Sequence, residues 1–167
     1  MENITNNDKV KKLIFWLPLF ILIVHATDEF VTGFPAWATD HFGMTTPAYF
    51  VYTHILLVLL VVTIAYLAKG SAFWKMMASA AMMQFATNAV FHLSTTLLFG
   101  EVAPGILTAS FVALPLSYIF FMVVLKQQLL TKKQVIVSMA LGFIVALLII
   151  STLWFDGSIG WDFSLTS

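Results

Sequence analysis

A histidine and two carboxylates stand inside one apolar stretch, Val24-His25-Ala26-Thr27-Asp28-Glu29-Phe30. Ionisable groups are costly at bilayer depth, and those kept there face a partner, a water-filled cavity or a metal. His25 and Glu29 are four residues apart and share one helix face, with Asp28 on the adjoining flank. Gln84, Asn88 and His92 form a second stripe at the same spacing, extended by Thr95 or Thr96. His54 adds an imidazole from a third apolar segment. A His and a carboxylate at this spacing can ligate one metal or form one hydrogen-bonded relay. Helix bundles build metal sites from such side chains on facing helices.

The elements that must position these groups are transmembrane helices. The chain of 167 residues is 60% hydrophobic and 10% charged, with a mean hydropathy of +0.96. A soluble domain carries about 25% charge. A helical span needs about 20 largely apolar residues, and five windows qualify: about 12–32, 48–68, 76–99, 104–125 and 134–155. The expectation is an all-α polytopic membrane protein, one bundle of five spans with no separate soluble domain. Zero net charge gives no basic patch for nucleic acid. Absence of Cys excludes thiol, disulfide and iron–sulfur chemistry, and all eight basic residues are Lys, which removes the bidentate clamp of Arg.

The lysines predict orientation. Lys9, Lys11 and Lys12 precede the first span, Lys69 and Lys75 lie between the second and third, and Lys126, Lys132 and Lys133 between the fourth and fifth. Five spans put all of them on one side, which the positive-inside rule makes cytoplasmic. The N-terminus is then in and the C-terminus out, with Asp40, His41, Glu101, Asp156 and Asp162 outside. A cleaved leader is the competing reading of Lys11-Lys12 followed by Leu13–Val24; an acidic pair directly after the cleavage point speaks against it. Gly33, Pro35, Gly43 and Pro47 predict a long outer loop over 33–47. Phe34, Trp37, Phe42, Trp154 and Trp161 suit the outer headgroup level, and Trp16 and Trp74 the inner one.

On this layout His25, Glu29, His54, Asn88 and His92 all fall at one level in the outer half. We expect His25, Glu29, His54 and His92 as metal ligands, and Asp28, Glu29 and Asn88 as groups that move protons or orient water. Three histidines with one or two carboxylates make a first shell for zinc; iron or manganese also accept such nitrogen and oxygen donors, and zinc is favoured. The metal-free alternative is an acid/base site in which a carboxyl shares a proton with a His. His41 reads as a solvated loop residue, and Glu101 as either a loop charge or a lid residue. Met76, Met77, Met82 and Met83 read as packing.

His25-Ala-Thr-Asp28-Glu29-Phe30, followed by Phe34-Pro35-x-Trp37, resembles the opening of the HXXEE family of small bacterial membrane proteins. Asn88-Ala-Val-Phe-His92 and Ala103-Pro104-Gly105 resemble its later signatures, so the likeness spans roughly residues 15–125. Asp28 stands where the family name implies Glu, which keeps the charge and shortens the reach. The resemblance implies a bacterial plasma-membrane location and supports a site, but no reaction. Sterol isomerase-like EXPERA bundles offer an analogy only, through His, Glu and Asn in an apolar pocket. The expected function is a membrane metalloenzyme, a hydrolase or oxidoreductase, acting on an apolar or lipid-like substrate. The alternatives are metal-ion or proton transport, or a metal-free acid/base or ligand-binding module. The strongly apolar inner stretches Leu13–Val24 and Ile55–Val62 weigh against a continuous ion path.

Overall fold

The computed structural model describes residues 13–43 and 47–155, and these form six helices. They are α1 (Ile14–Thr32, opening as a tight 3₁₀ turn), α2 (Phe34–Phe42), α3 (Pro47–Leu67), α4 (Ala72–Phe99), α5 (Ile106–Lys126) and α6 (Lys132–Phe155). There is no strand among the described residues. Lys9, Lys11, Lys12, Asp156, Trp161 and Asp162 lie outside them, as do the side chains of Tyr49 and Trp154.

Four helices are long and apolar enough to cross a membrane: α1, α3, α5 and α6. The expectation of five such segments is corrected at α4. Its polar stripe and its alanines and serines lower its hydropathy, although its 28 residues extend about 42 Å. Burial explains how so polar a helix is accommodated. From Trp74 to Ala89 no residue of α4 is exposed, because α4 is the central helix and packs on α1, α3, α5 and α6. The lipid-facing load falls on its neighbours, through residues such as Leu59, Phe111, Ile136 and Leu148.

Small residues set the tightest approach. Ser138, Gly142 and Ala146 of α6 recur every four residues on one face, and a Cβ on Gly142 would lie 2.8 Å from Met83 Cβ on α4. Stripes of this kind let membrane helices approach closely. At the lysine end, Phe15, Ala68, Val124 and Leu130 share one core, and Lys69 Nζ lies 5.5 Å from the Trp16 ring centre. The start of α1 and the α3–α4 turn therefore occupy the same end of the bundle. At the opposite end Phe34, Ala38 and Phe50 form a second apolar cluster with Trp37, Phe42, Phe91 and Leu153 around it.

The loop expected over 33–47 is mostly the helix α2. Gly33 and Gly43, both left-handed, bracket it, and Pro35 sits in its first turn. Residues that read as loop punctuation are the caps of a short helix. Gly33 turns the chain sharply, and α2 folds across the end of α1 so that Phe34 meets His92, ring centres 5.5 Å apart. Ser71 starts α4 four residues ahead of the expected span by accepting from Trp74 N–H.

Candidate functional site

Glu29 is the centre of the site. It is 4% exposed, and three imidazoles reach it from three helices. His92 Nε2 on α4 donates to Glu29 Oε1 at 3.0 Å. His25 Nε2, one turn earlier on α1, lies 3.4 Å from the same oxygen. His54 Nε2 on α3 lies 3.5 Å from the other oxygen, Oε2. His25 and His92 meet edge-to-face with ring centres 4.9 Å apart.

Two of the three rings are aimed from behind. His54 Nδ1–H donates to the Phe50 carbonyl at 2.8 Å, which leaves Nε2 as an acceptor facing a carboxylate oxygen. His25 Nδ1 lies 2.8 Å from Thr108 Oγ1. The Thr108 hydroxyl donates to Asp28 Oδ2 at 2.8 Å, and the Thr108 backbone N–H donates to the same oxygen at 3.2 Å. With its proton given to Asp28, the hydroxyl can only accept from His25, so Nδ1 carries the hydrogen. His25 Nε2 is then an acceptor as well, and takes a 2.8 Å hydrogen bond from Asn88 Nδ2. His92 has no such backing: its Nδ1 is buried without a hydrogen-bond partner.

The structure thus brings His25, Glu29, His54, Asn88 and His92 together. It does not bring Asp28 to the imidazoles' reactive edge. Asp28 points along the flank of α1 toward α5 and acts on His25 only through Thr108. Ligand atoms of His25, Glu29 and His92 all lie within 4.8 Å of one another. Tetrahedral donors about 2.1 Å from one metal stand about 3.4 Å apart, so this trio can hold an ion with small adjustments. His54 sits outside that compact trio, on the far oxygen of Glu29.

Two residues of the site are not among the candidates expected from the sequence, although Gly105 belongs to the Ala103-Pro104-Gly105 signature. Gly105 has φ +86°, and a Cβ there would lie 2.8 Å from Glu29 Cγ and 3.1 Å from the Cε1 atoms of both His25 and His92. Its backbone is the roof over the trio. Thr108 follows one turn later, and α5 then widens into a π-helical turn at Ala109–Ala113. Such turns recur at functional sites; here it follows directly the residue that holds His25 and Asp28. A hydroxyl placed three residues after Pro104-Gly105 is visible in the sequence, but its partner is 83 residues away, so only the fold identifies it.

His41 and Glu101 form a second cluster. His41 Nε2 lies 3.1 Å from Glu101 Oε1, Trp37 Nε1 donates to that oxygen, and His41 stacks on Trp37 with ring centres 4.7 Å apart. His41 is therefore a packed partner rather than a solvated loop residue, and Glu101 ties α2 to the turn after α4.

Below Glu29 opens a cavity of about 350 Å³ between α1, α3, α4 and α6. His25, Glu29, His54 and Asn88 line one end, and leucines, isoleucines and phenylalanines line most of the rest, with Gln84 among them.

Fold and site define a small all-α protein of membrane-spanning composition with a buried carboxylate ringed by three histidines. The chain belongs to the HXXEE family, described as protein of unknown function with HXXEE motif, which matches residues 16–120. The matched stretch contains every residue of the site, whereas α6 lies beyond it. No curated protein matches the chain, and no solved structure does.

Proposed function

We propose that this protein is an integral membrane metalloenzyme. His25, Glu29 and His92 hold a transition metal, zinc ahead of iron or manganese, and His54 completes or adjoins the set. The observation that carries this reading is the convergence of three Nε2 atoms on one buried carboxylate, two of them with Nδ1 committed elsewhere. An acceptor nitrogen such as His54 Nε2 facing a carboxylate oxygen is unfavourable unless something positive lies between them. Nδ1–H bonds to a carbonyl or to a hydroxyl–carboxylate pair are also how metal-ligating histidines are oriented.

A metal there supplies Lewis-acid activation of water or of a substrate oxygen. Glu29 Oε2, on the cavity side with His54, is placed to take or return a proton. Asn88 holds His25 and can hydrogen-bond a polar group at the cavity's upper end. The substrate is apolar or lipid-like, and the reaction a hydrolysis or an oxidation.

The same proposal includes topology. All five long helices cross, α4 shielded by the others, with the lysine end in the cytoplasm and the site in the outer half of a bacterial plasma membrane. The lysine distribution supports this. The chain has no cysteine, so single Asp40→Cys and Gly70→Cys variants should react oppositely with an impermeant maleimide in intact cells. Equal labelling contradicts the topology.

The test of the metal is its stoichiometry in detergent-purified protein. About one zinc per chain is expected in the wild type, and at least a tenfold loss in Glu29→Gln. A second reading, a metal-free acid/base pocket, has one observation in its favour: His92 and Glu29 stand at an ordinary hydrogen-bond distance of 3.0 Å. Wild-type protein that takes up no transition metal would select it. Transport is disfavoured by the apolar lining below the site, where Leu22, Leu57, Leu60 and Phe85 face the cavity.

A further inference from the structure

The cavity under Glu29 is mostly apolar away from Glu29, with Gln84 one turn below Asn88, and it has a side opening. α3 and α6 both pack on α4 rather than chiefly on each other, and the cavity lies between them. Leu56 and Leu60 on α3 and Ile149 on α6 line it while being 66%, 54% and 37% exposed on the bundle's outer face. Residues that both line a cavity and face the lipid side mark its mouth. α3 and α6 run in opposite directions, so His54 and Leu153 stand at the site's level, and Leu60 and Ile149 lie deeper. From His54 to Leu60 the cavity follows α3 for about 9 Å. Its volume, about 350 Å³, is near the lower end of ligand pockets, about 300–1,000 Å³. No Lys lines it, so no ammonium group is there to pair with an anionic headgroup.

We propose that this cavity binds the tail of a single-chain amphiphile with a neutral head, such as a fatty amide, ester or alcohol. It enters sideways from the lipid between α3 and α6. The tail lies along Leu57, Leu60 and Ile149, and the neutral polar head stops at Glu29, His54 and Asn88. This inference rests on the apolar-substrate reading above and names its class and route.

The probe is palmitamide carrying a diazirine about six carbons from the amide, a reach that matches the depth of Leu60 and Ile149, added to protein in phosphatidylcholine nanodiscs and photolysed. Labelled residues are identified by peptide mass spectrometry, and zinc is measured in the same samples. Label should concentrate on Leu56–Leu60 and Ile149–Leu153 and fall at least fivefold with excess unlabelled palmitamide. Palmitate should compete at least tenfold less well. Ile150→Trp, which fills the cavity, should lower the label at least fivefold with zinc unchanged. Ile136→Trp, on the outer face, should change neither. Label spread evenly over lipid-facing residues such as Phe111 and Ile136, without competition, overturns the proposal. Competition by cholesterol in place of palmitamide overturns it in favour of a ring-shaped ligand, and equal competition by palmitate overturns the neutral head. The competition arm needs only wild-type protein, so a poorly folding variant leaves the test intact. Protein that takes the probe but no zinc contradicts the metal reading alone. Zinc-loaded protein that ignores the probe contradicts this inference alone.

Discussion

The molecule carries two histidine–carboxylate clusters with nearly the same separation and opposite surroundings. His92 Nε2 stands 3.0 Å from Glu29, and His41 Nε2 stands 3.1 Å from Glu101. The Glu29 side chain is 5% exposed and that of Glu101 48%. Around Glu29 three imidazoles replace water; around Glu101 one imidazole and one indole share the work with solvent. Distance alone does not distinguish these pairs. A solvated pair gains about 0–1 kcal/mol, whereas a buried polar group left unpaired costs about 1–3 kcal/mol. The Glu29 cluster is thus obliged to stay complete, and the Glu101 cluster is a tie between α2 and the turn after α4.

That contrast breaks most sharply at Glu29. Glu29→Ala leaves the buried His92 Nε2–H without its acceptor and removes the carboxylate that His25 and His54 face, and the unpaired group should cost about 1–3 kcal/mol, read as a lower unfolding temperature in detergent. Full retention of stability would mean that water already satisfies the cluster. Gly105→Ala comes next. It forces a side chain into a left-handed backbone, worth about 1–2 kcal/mol, and drives a methyl into Glu29, His25 and His92. Metal content and thermal stability should both fall, and a variant with unchanged metal would show that the roof yields.

Thr108→Val keeps the shape and cuts the link from Asp28 to His25. Loss of an orienting hydrogen bond of this kind lowers metal affinity about 10–100-fold, with the fold retained. Thr108→Ser should restore most of it, and a competition titration with a zinc chelator separates the two. Asp28→Asn should weaken the same link less, since its remaining oxygen can still accept. The smallest effect belongs to the exposed cluster. Glu101→Gln should change stability by no more than about 1 kcal/mol and leave zinc binding unaltered. A large loss of zinc there would mean that α2 holds the site shut, and would erase the contrast between the two clusters.

Much of this was legible in the chain because it depends on period and depth. The four-residue spacings of His25 with Glu29 and of Gln84, Asn88 and His92 give faces, and apolar length gives depth; together they bring the right helices to one level. Family membership was legible for a different reason, in short motifs that stand in order. What sequence order could not give is lateral direction. Asp28 and Glu29 are neighbours with the same charge, yet a turn of about 100° per residue sends one to the imidazoles and the other to Thr108. Gly105 reads as part of the Ala103-Pro104-Gly105 signature, and only the fold shows what lies under it. α2 read as loop because its caps and its first-turn proline are the residues that also make turns. α4 fell below the apolar threshold for spanning because that threshold describes a helix in lipid, and α4 is wrapped by other helices.

The most direct test of the central claim is X-ray absorption at the zinc K-edge of purified, zinc-loaded protein. The account predicts nitrogen and oxygen donors at about 2.0–2.2 Å, with the outer-shell scattering of at least two imidazoles, one of which disappears in His92→Gln. Zinc bound without imidazole scattering, or a spectrum that His92→Gln does not alter, would contradict it.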